Sequence, residues 1–176
     1  LFVGSGFQRK GAFELVEAIK LLPKFQAIIV GHDKKIQQLR NLAHGHNILI
    51  TGPQDNIQKY LDASDIFCLP SLYDSLPNAA IEALCCGLPI VLTKDVGLAP
   101  HIKKNKAGVI CKKDKHSIVN ALVEAWKKRR IFSKNALKLA KAFDIKIKNK
   151  EWLHLYNELV NKKKIKIHRD YAGGND

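Results

Sequence analysis

The chain has 176 residues, of which 46% are apolar and 26% charged, a balance that excludes a disordered or fibrous protein and suffices for one buried core. Its formal net charge of +14 is unevenly placed: residues 1–111 carry 12 Lys and Arg against 9 Asp and Glu, a net of +3, and residues 112–176 carry 18 against 7, a net of +11. No apolar run approaches the roughly 18 residues of a membrane span, and Cys68, Cys85, Cys86 and Cys111 lack CxxC or zinc-finger spacing, which points to reduced thiols in a cytosolic protein. The sequence contains no Met and opens on Leu1-Phe2-Val3-Gly4, as if inside a strand, so it reads as a piece of a longer protein.

In chain order the pattern predicts a strand at residues 1–4, a helix at 12–22 with Leu15, Val16 and Ile19 on one face, and a strand at 25–31. A polar helix at 34–43, a strand at 47–51 and a helix ending at Ala63, N-capped by Asp55, come next. A strand at 66–69 closes at Pro70, and a helix from Asn78 to Cys86 stops at Gly87. Strands at 89–93 and 108–111 flank a short helix at 100–104. After Asp114 the pattern is helical only, with stripes at 117–128, 133–142 and 147–159, the last anchored by Trp152, Leu155, Tyr156 and Leu159. A basic stretch at 161–168 leads to a tail at 172–176 that reads as frayed.

Six short apolar strands separated by crossover-length segments predict an α/β fold: a doubly wound, parallel six-stranded sheet with extra C-terminal helices. The expected division is a Rossmann-like domain at 1–130, helices packed on it at 131–165 and a tail at 166–176. Such sheets bind ligands beyond the carboxyl ends of their strands, so the loops after each strand hold the candidate residues. In the first, Gly4-Ser5-Gly6-Phe7-Gln8-Arg9-Lys10-Gly11, glycines and two cations suit a phosphate, although the spacing matches neither a dinucleotide nor a Walker loop and a solvated turn remains open. In the loop and helix beginning Pro70-Ser71-Leu72-Tyr73-Asp74, Glu82 follows Asp74 by eight residues. Asp74 reads as a helix cap or a ligand group. Glu82 reads as a surface glutamate or as an acceptor for a vicinal diol.

The order Pro-Ser-x-x-acid-x7-Glu-Ala-x-x-x-Gly-x-Pro, with Gly4–Gly11, IVGHDK, ITGPQD and ASDIFCLP before it, resembles the retaining glycosyltransferases of family 4 with the GT-B fold. The resemblance covers about residues 1–126. Within the family, GSGFQRKG, VGHDK and VGLAPHI are most similar to bacterial glucosyltransferases that build lipopolysaccharide core.

The resemblance implies a donor-binding half that takes a nucleotide sugar, UDP-glucose or a related UDP-hexose. A glycan or lipid-linked acceptor would be held by a domain outside this chain. It assigns Arg9 and Lys10, with Gly6, to the donor diphosphate and His32 to the donor site. Gly52, Pro53 and Gln54 would meet the nucleobase, Asp74 with Leu76, Pro77, Asn78 and Ala79 the sugar and phosphate, and Glu82 the ribose. Asp74, Arg9 and Lys10 are the candidate catalytic groups. No metal or other cofactor is implied, and the chain has no Asp-x-Asp pair to chelate one.

Three departures from the family pattern concern the donor sugar more than the fold. Asp74 stands where Glu is usual, Ser5 where Arg is common, and the segment after Val96-Gly97 lacks a Glu that many members carry. Competing readings are a nucleotide-sugar epimerase of the same fold and a non-catalytic basic module. The lysines of the C-terminal third either solvate helices or meet an anionic membrane surface at the cytoplasmic face. That contact would be electrostatic, since no wide apolar face is expected to stay exposed. Nucleic acid is not an expected partner, because no aromatic-rich pattern accompanies the charge.

Overall fold

A computed structural model describes residues 1–171. The expected frayed tail at 172–176 lies outside the described residues. The chain divides into two compact units, Leu1–Lys141 and Ala142–Asp176.

The first unit is an α/β layer structure. Strands β1 (Phe2–Val3), β2 (Ala27–Val30) and β3 (Ile48–Gly52) form one parallel sheet, and β4 (Phe67–Leu69), β5 (Ile90–Thr93) and β6 (Gly108–Cys111) form another. The two meet at Leu1, whose N–H donates to the Ile66 carbonyl and whose carbonyl accepts from Cys68, both at 2.8 Å. The spatial order is therefore β3-β2-β1-β4-β5-β6, the doubly wound arrangement the strand pattern predicts, with its switch between β1 and β4.

Strands buried on both faces carry continuous apolar runs. Phe67, Leu69, Ile90, Val91 and Leu92 are all buried, whereas Leu49 on the edge strand β3 is half exposed. Gly108 is required where β6 pairs with β5, because a Cβ there would overlap the Ile90 carbonyl.

The helices follow the predicted stripes with shifted ends. Helix α2 (Ala12–Lys20) buries Leu15, Val16 and Ile19 between α3 (Ile36–Ala43) and a helix from the far end of the unit, α7 (Lys115–Lys127). Helix α4 (Gln58–Asp62) follows β3. Helices α5 (Asn78–Cys85) and α6 (Ala99–Asn105) pack against α8 (Arg129–Ala140). Gly87 ends α5 at φ 73°, and its missing side chain admits Leu137 and Ser133 of α8.

Three local expectations are corrected. Asp55 does not cap α4; the Asn56 side chain accepts from the Gln58 amide at 2.9 Å, because the chain turns one residue later. Helix α7 begins at Lys115 rather than Ser117, since Asp114 supplies its N-cap and accepts from Ser117 N at 2.8 Å. Residues 7–10, expected as part of an open turn, form a one-turn helix, α1 (Phe7–Lys10).

The second unit consists mainly of one helix, α9 (Ile145–Tyr171), which joins the predicted stripe and the basic stretch. Its expected anchors Trp152, Leu155, Tyr156 and Leu159 are exposed, as are Leu153 and Val160. The expectation that no apolar face stays open thus does not describe these α9 residues. Among the described residues no helix is long and apolar enough to cross a membrane.

Candidate functional site

Five strand-end loops are hydrogen-bonded into one rim at the carboxyl edge of the sheet. Gly52 O accepts from Gly31 N at 3.0 Å, His32 O from Gly6 N at 3.3 Å, Arg9 O from Leu72 N at 2.7 Å, and Asp74 O from Gly97 N at 2.8 Å. Glycines make these approaches possible. A Cβ on Gly11 would overlap the Pro70 carbonyl, and one on Gly97 the Ser75 carbonyl. Under the rim, the Thr93 hydroxyl donates to the Ser71 carbonyl, with both residues buried, and the Ser71 hydroxyl is itself buried without a partner.

Helix α1 lies between glycines in the left-handed region, Gly6 at φ 78° and Gly11 at φ 81°. One turn leaves its end groups unpaired within the helix, and its neighbours supply the partners. At the start, the Phe7 amide donates to Asp33 Oδ2 at 2.7 Å, so a carboxylate of this chain already occupies that amide. At the end, Phe7 O accepts from Gly11 N, Arg9 O from Leu72 N, and Gln8 O from Lys113 Nζ at 2.9 Å.

The two candidate cations are brought onto the loop after β4. Lys10 Nζ lies 2.5 Å from Asp74 Oδ2, with side chains only 15% and 12% exposed. Arg9 donates from Nη1 to the Tyr73 carbonyl at 3.2 Å, and its guanidinium lies 5.3 Å from the Tyr73 ring centroid. Asp74 is thus a partner of Lys10 and not a helix cap; Pro77 occupies the N-cap of α5, with no side-chain cap. The first-turn amides of α5, Asn78 and Ala79, have no carbonyl one turn earlier in the helix.

The other sequence-predicted residues flank this cluster. His32 is exposed just after β2. Gly52 is buried at φ 79°, Pro53 is exposed, and Gln54 Oε1 accepts from the Tyr60 hydroxyl at 3.0 Å. Leu76 is 45% exposed, Pro77 is buried, and Glu82 is exposed one turn into α5. Among the described residues no hydrogen bond joins the His32, Gln54 or Glu82 side chains to the Arg9–Asp74 cluster. Nor do any three His, Cys, Asp or Glu among them stand close enough to hold a metal ion. A cavity of about 530 Å³ lies at the opposite strand ends, walled by Leu15, Ile19, Phe25, Ile66 and Trp126, and takes no part in the rim.

The sequence reading missed Asp33 and Lys113. Asp33 has a local signal, an acid two residues past the glycine that follows β2. Lys113 is 105 residues from the carbonyl it reaches, a distance no local pattern bridges.

Comparison with known proteins identifies the family and the fold. The sequence profile described as Glycosyl transferases group 1 matches residues 1–149. The chain is 30% identical over 173 residues to the UDP-Gal:alpha-D-GlcNAc-diphosphoundecaprenol alpha-1,3-galactosyltransferase of Escherichia coli, covering 90% of this chain and 45% of that protein. It is 28% identical over 168 residues to the N,N'-diacetylbacillosaminyl-diphospho-undecaprenol alpha-1,3-N-acetylgalactosaminyltransferase of Campylobacter jejuni, covering 91% and 44%. The chain therefore spans less than half the length of either relative. Among solved structures it superposes on WaaG, a glycosyltransferase involved in lipopolysaccharide biosynthesis, with TM-score 0.72 at 23% identity, covering 81% of this chain and 43% of that one. The Anabaena protein HepE in complex with UDP gives 0.76 at 22%, covering 89% and 48%. With a matching profile over most of its length and a shared α/β fold, the chain belongs to the group 1 glycosyl transferases.

Proposed function

We propose that this chain is the donor-binding half of a retaining hexosyltransferase that takes UDP-glucose or a related UDP-hexose. The observation that carries this reading is Lys10 held on Asp74 and Arg9 on the neighbouring Tyr73 carbonyl, just before the N-terminus of α5 and inside a rim of strand-end loops. A nucleotide sugar breaks the bond between its anomeric carbon and the diphosphate, and negative charge grows on the leaving group. Arg9, Lys10 and the amides of Leu76, Asn78 and Ala79 supply fixed positive potential there. Glu82, exposed on α5, accepts from the ribose hydroxyls, while Gly52, Pro53 and Gln54 offer the nucleobase mostly backbone, with His32 and Gly6 at the donor's flank. Asp74, poised on Lys10, faces the sugar end.

The acceptor would be a glycan or a lipid-linked glycan such as lipopolysaccharide core, held by a part of the protein outside this chain. Support comes from relatives whose names specify diphosphoundecaprenol-linked substrates and from a structural neighbour bound to UDP. With such an acceptor, the basic residues 112–176 would meet an anionic membrane surface at its cytoplasmic face. A thermal-shift series with UDP, UDP-glucose and uridine tests the reading. A rise in melting temperature with UDP and UDP-glucose supports it, and no shift with any of them contradicts it.

A further inference from the structure

Helix α1 carries both candidate phosphate cations, and within it only Phe7, buried edge-to-face on Phe2 at 6.1 Å, is anchored in the core. It is a single turn, and the glycines at both ends have backbone freedom that other residues lack. Its orientation must come from outside. Asp33 holds the start through the Phe7 amide, and the loop after β4 holds Arg9 O. The α1 side chains are also held, Gln8 Oε1 by Lys35 Nζ at 2.7 Å, Arg9 by the Tyr73 carbonyl and Lys10 by Asp74, but the Gln8 carbonyl of its backbone is held by Lys113, which enters from beyond β6. Its ammonium donates to Gln8 O at 2.9 Å and pairs with Glu14 Oε1, also at 2.9 Å, in the first turn of α2. One side chain thus spans the Gly11 pivot and ties α1 to α2. The pair is partly shielded, with the Lys113 and Glu14 side chains 20% and 30% exposed, and Glu14 Oε2 is buried without a hydrogen-bond partner, so Lys113 is the cation paired with this carboxylate.

We propose that Lys113 is a positioning residue for the donor diphosphate, holding the α1 turn so that Arg9 and Lys10 meet the phosphates together. This rests on the nucleotide-sugar reading above. It adds a residue that touches no ligand and acts through the carbonyl of Gln8.

Two measurements on the 176-residue chain test it. In the first, hydrogen exchange is followed at the Lys10 and Gly11 amides, which close α1 onto Gly6 O and Phe7 O. Lys113→Met should speed exchange there at least fivefold, leave β2 and β5 amides unchanged, and be rescued by Lys113→Arg. Unchanged exchange at Lys10 and Gly11 overturns the proposal, whatever the chain binds. In the second, titration should show Lys113→Met weakening UDP about five- to twentyfold while uridine, if it binds, stays within twofold. Equal loss of both ligands would show a general structural role and overturn it. Glu14→Leu separates positioning from bare charge. It removes a negative group but also an anchor, so positioning requires weaker UDP binding, whereas tighter binding would show that Lys113 acts only through its field. A wild-type chain that binds no UDP contradicts the donor reading, and the exchange result then decides the clamp on its own.

Discussion

Replacing Asp74 by Asn separates the two jobs its carboxylate can do. In the structure it lies 2.5 Å from the Lys10 ammonium, and both side chains are largely shielded, at 12% and 15% exposed. A diphosphate that approaches Lys10 meets this negative charge. One unit of like charge about 5 Å away, at an effective dielectric constant near 20, opposes binding by roughly 3 kcal/mol. Asn keeps an acceptor for Lys10, so the lysine stays placed, although a neutral partner holds it less firmly than the charge-assisted bond, which is worth about 1.5–3 kcal/mol. The net expectation is UDP binding tighter by about 1–2 kcal/mol, or roughly 5- to 30-fold. Isothermal titration at two salt concentrations reads this directly, and the gain should shrink at the higher salt. A variant that binds UDP no better, or worse, would refute the reasoning and make the Asp74–Lys10 pair a scaffold for the turn.

Lys10→Ala should weaken UDP by about 1.5–3 kcal/mol and leave uridine nearly unchanged, because uridine carries no phosphate. Glu82→Gln should weaken both, and intact uridine affinity would remove Glu82 from the ribose. Burial pushes the Cys68 thiol well up and, with Asp114 nearby, the Cys111 thiol up to about 12, from an ordinary value of 9.0. The folded chain therefore keeps protons that the unfolded chain releases above about pH 9, so stability falls with rising pH by about 1.4 kcal/mol per unit for each thiol. Urea midpoints at pH 8 and pH 10 should show the drop, and Cys111→Ala should lose less between the two. Vesicle co-sedimentation should show binding to anionic and not to neutral vesicles. Because Trp152, Leu153, Tyr156 and Leu159 of α9 are exposed, a residue of that binding should survive high salt. Indifference to lipid charge would assign the lysines to solubility.

The sheet was legible because fully buried strands such as Phe67–Leu69 and Ile90–Thr93 carry unbroken apolar runs between turn signals. The strand-end loops could be named for the same reason, and the ordered residues of the loop after β4 carried the family resemblance. The contacts inside the rim were not legible. Asp74 reads locally as a cap, and only the tertiary approach of α1, admitted by Gly11 against Pro70, puts Lys10 on it. Helix α1 itself escaped because a four-residue turn between two glycines has too little periodicity to register. The stripe of α9 is apolar as its periodicity indicates and its residues are exposed, since periodicity identifies a face without saying what covers it.

If the loops carrying Arg9, Lys10 and Asp74 bind a nucleotide sugar, the folded chain should titrate with one. Isothermal titration of the folded chain with UDP-glucose, with Lys10→Ala alongside, tests it most directly. Saturable one-site binding by the wild type, weakened at least tenfold in the variant, is expected; saturable heat absent from a folded wild-type sample, or identical affinity in Lys10→Ala, would overturn the donor-site reading.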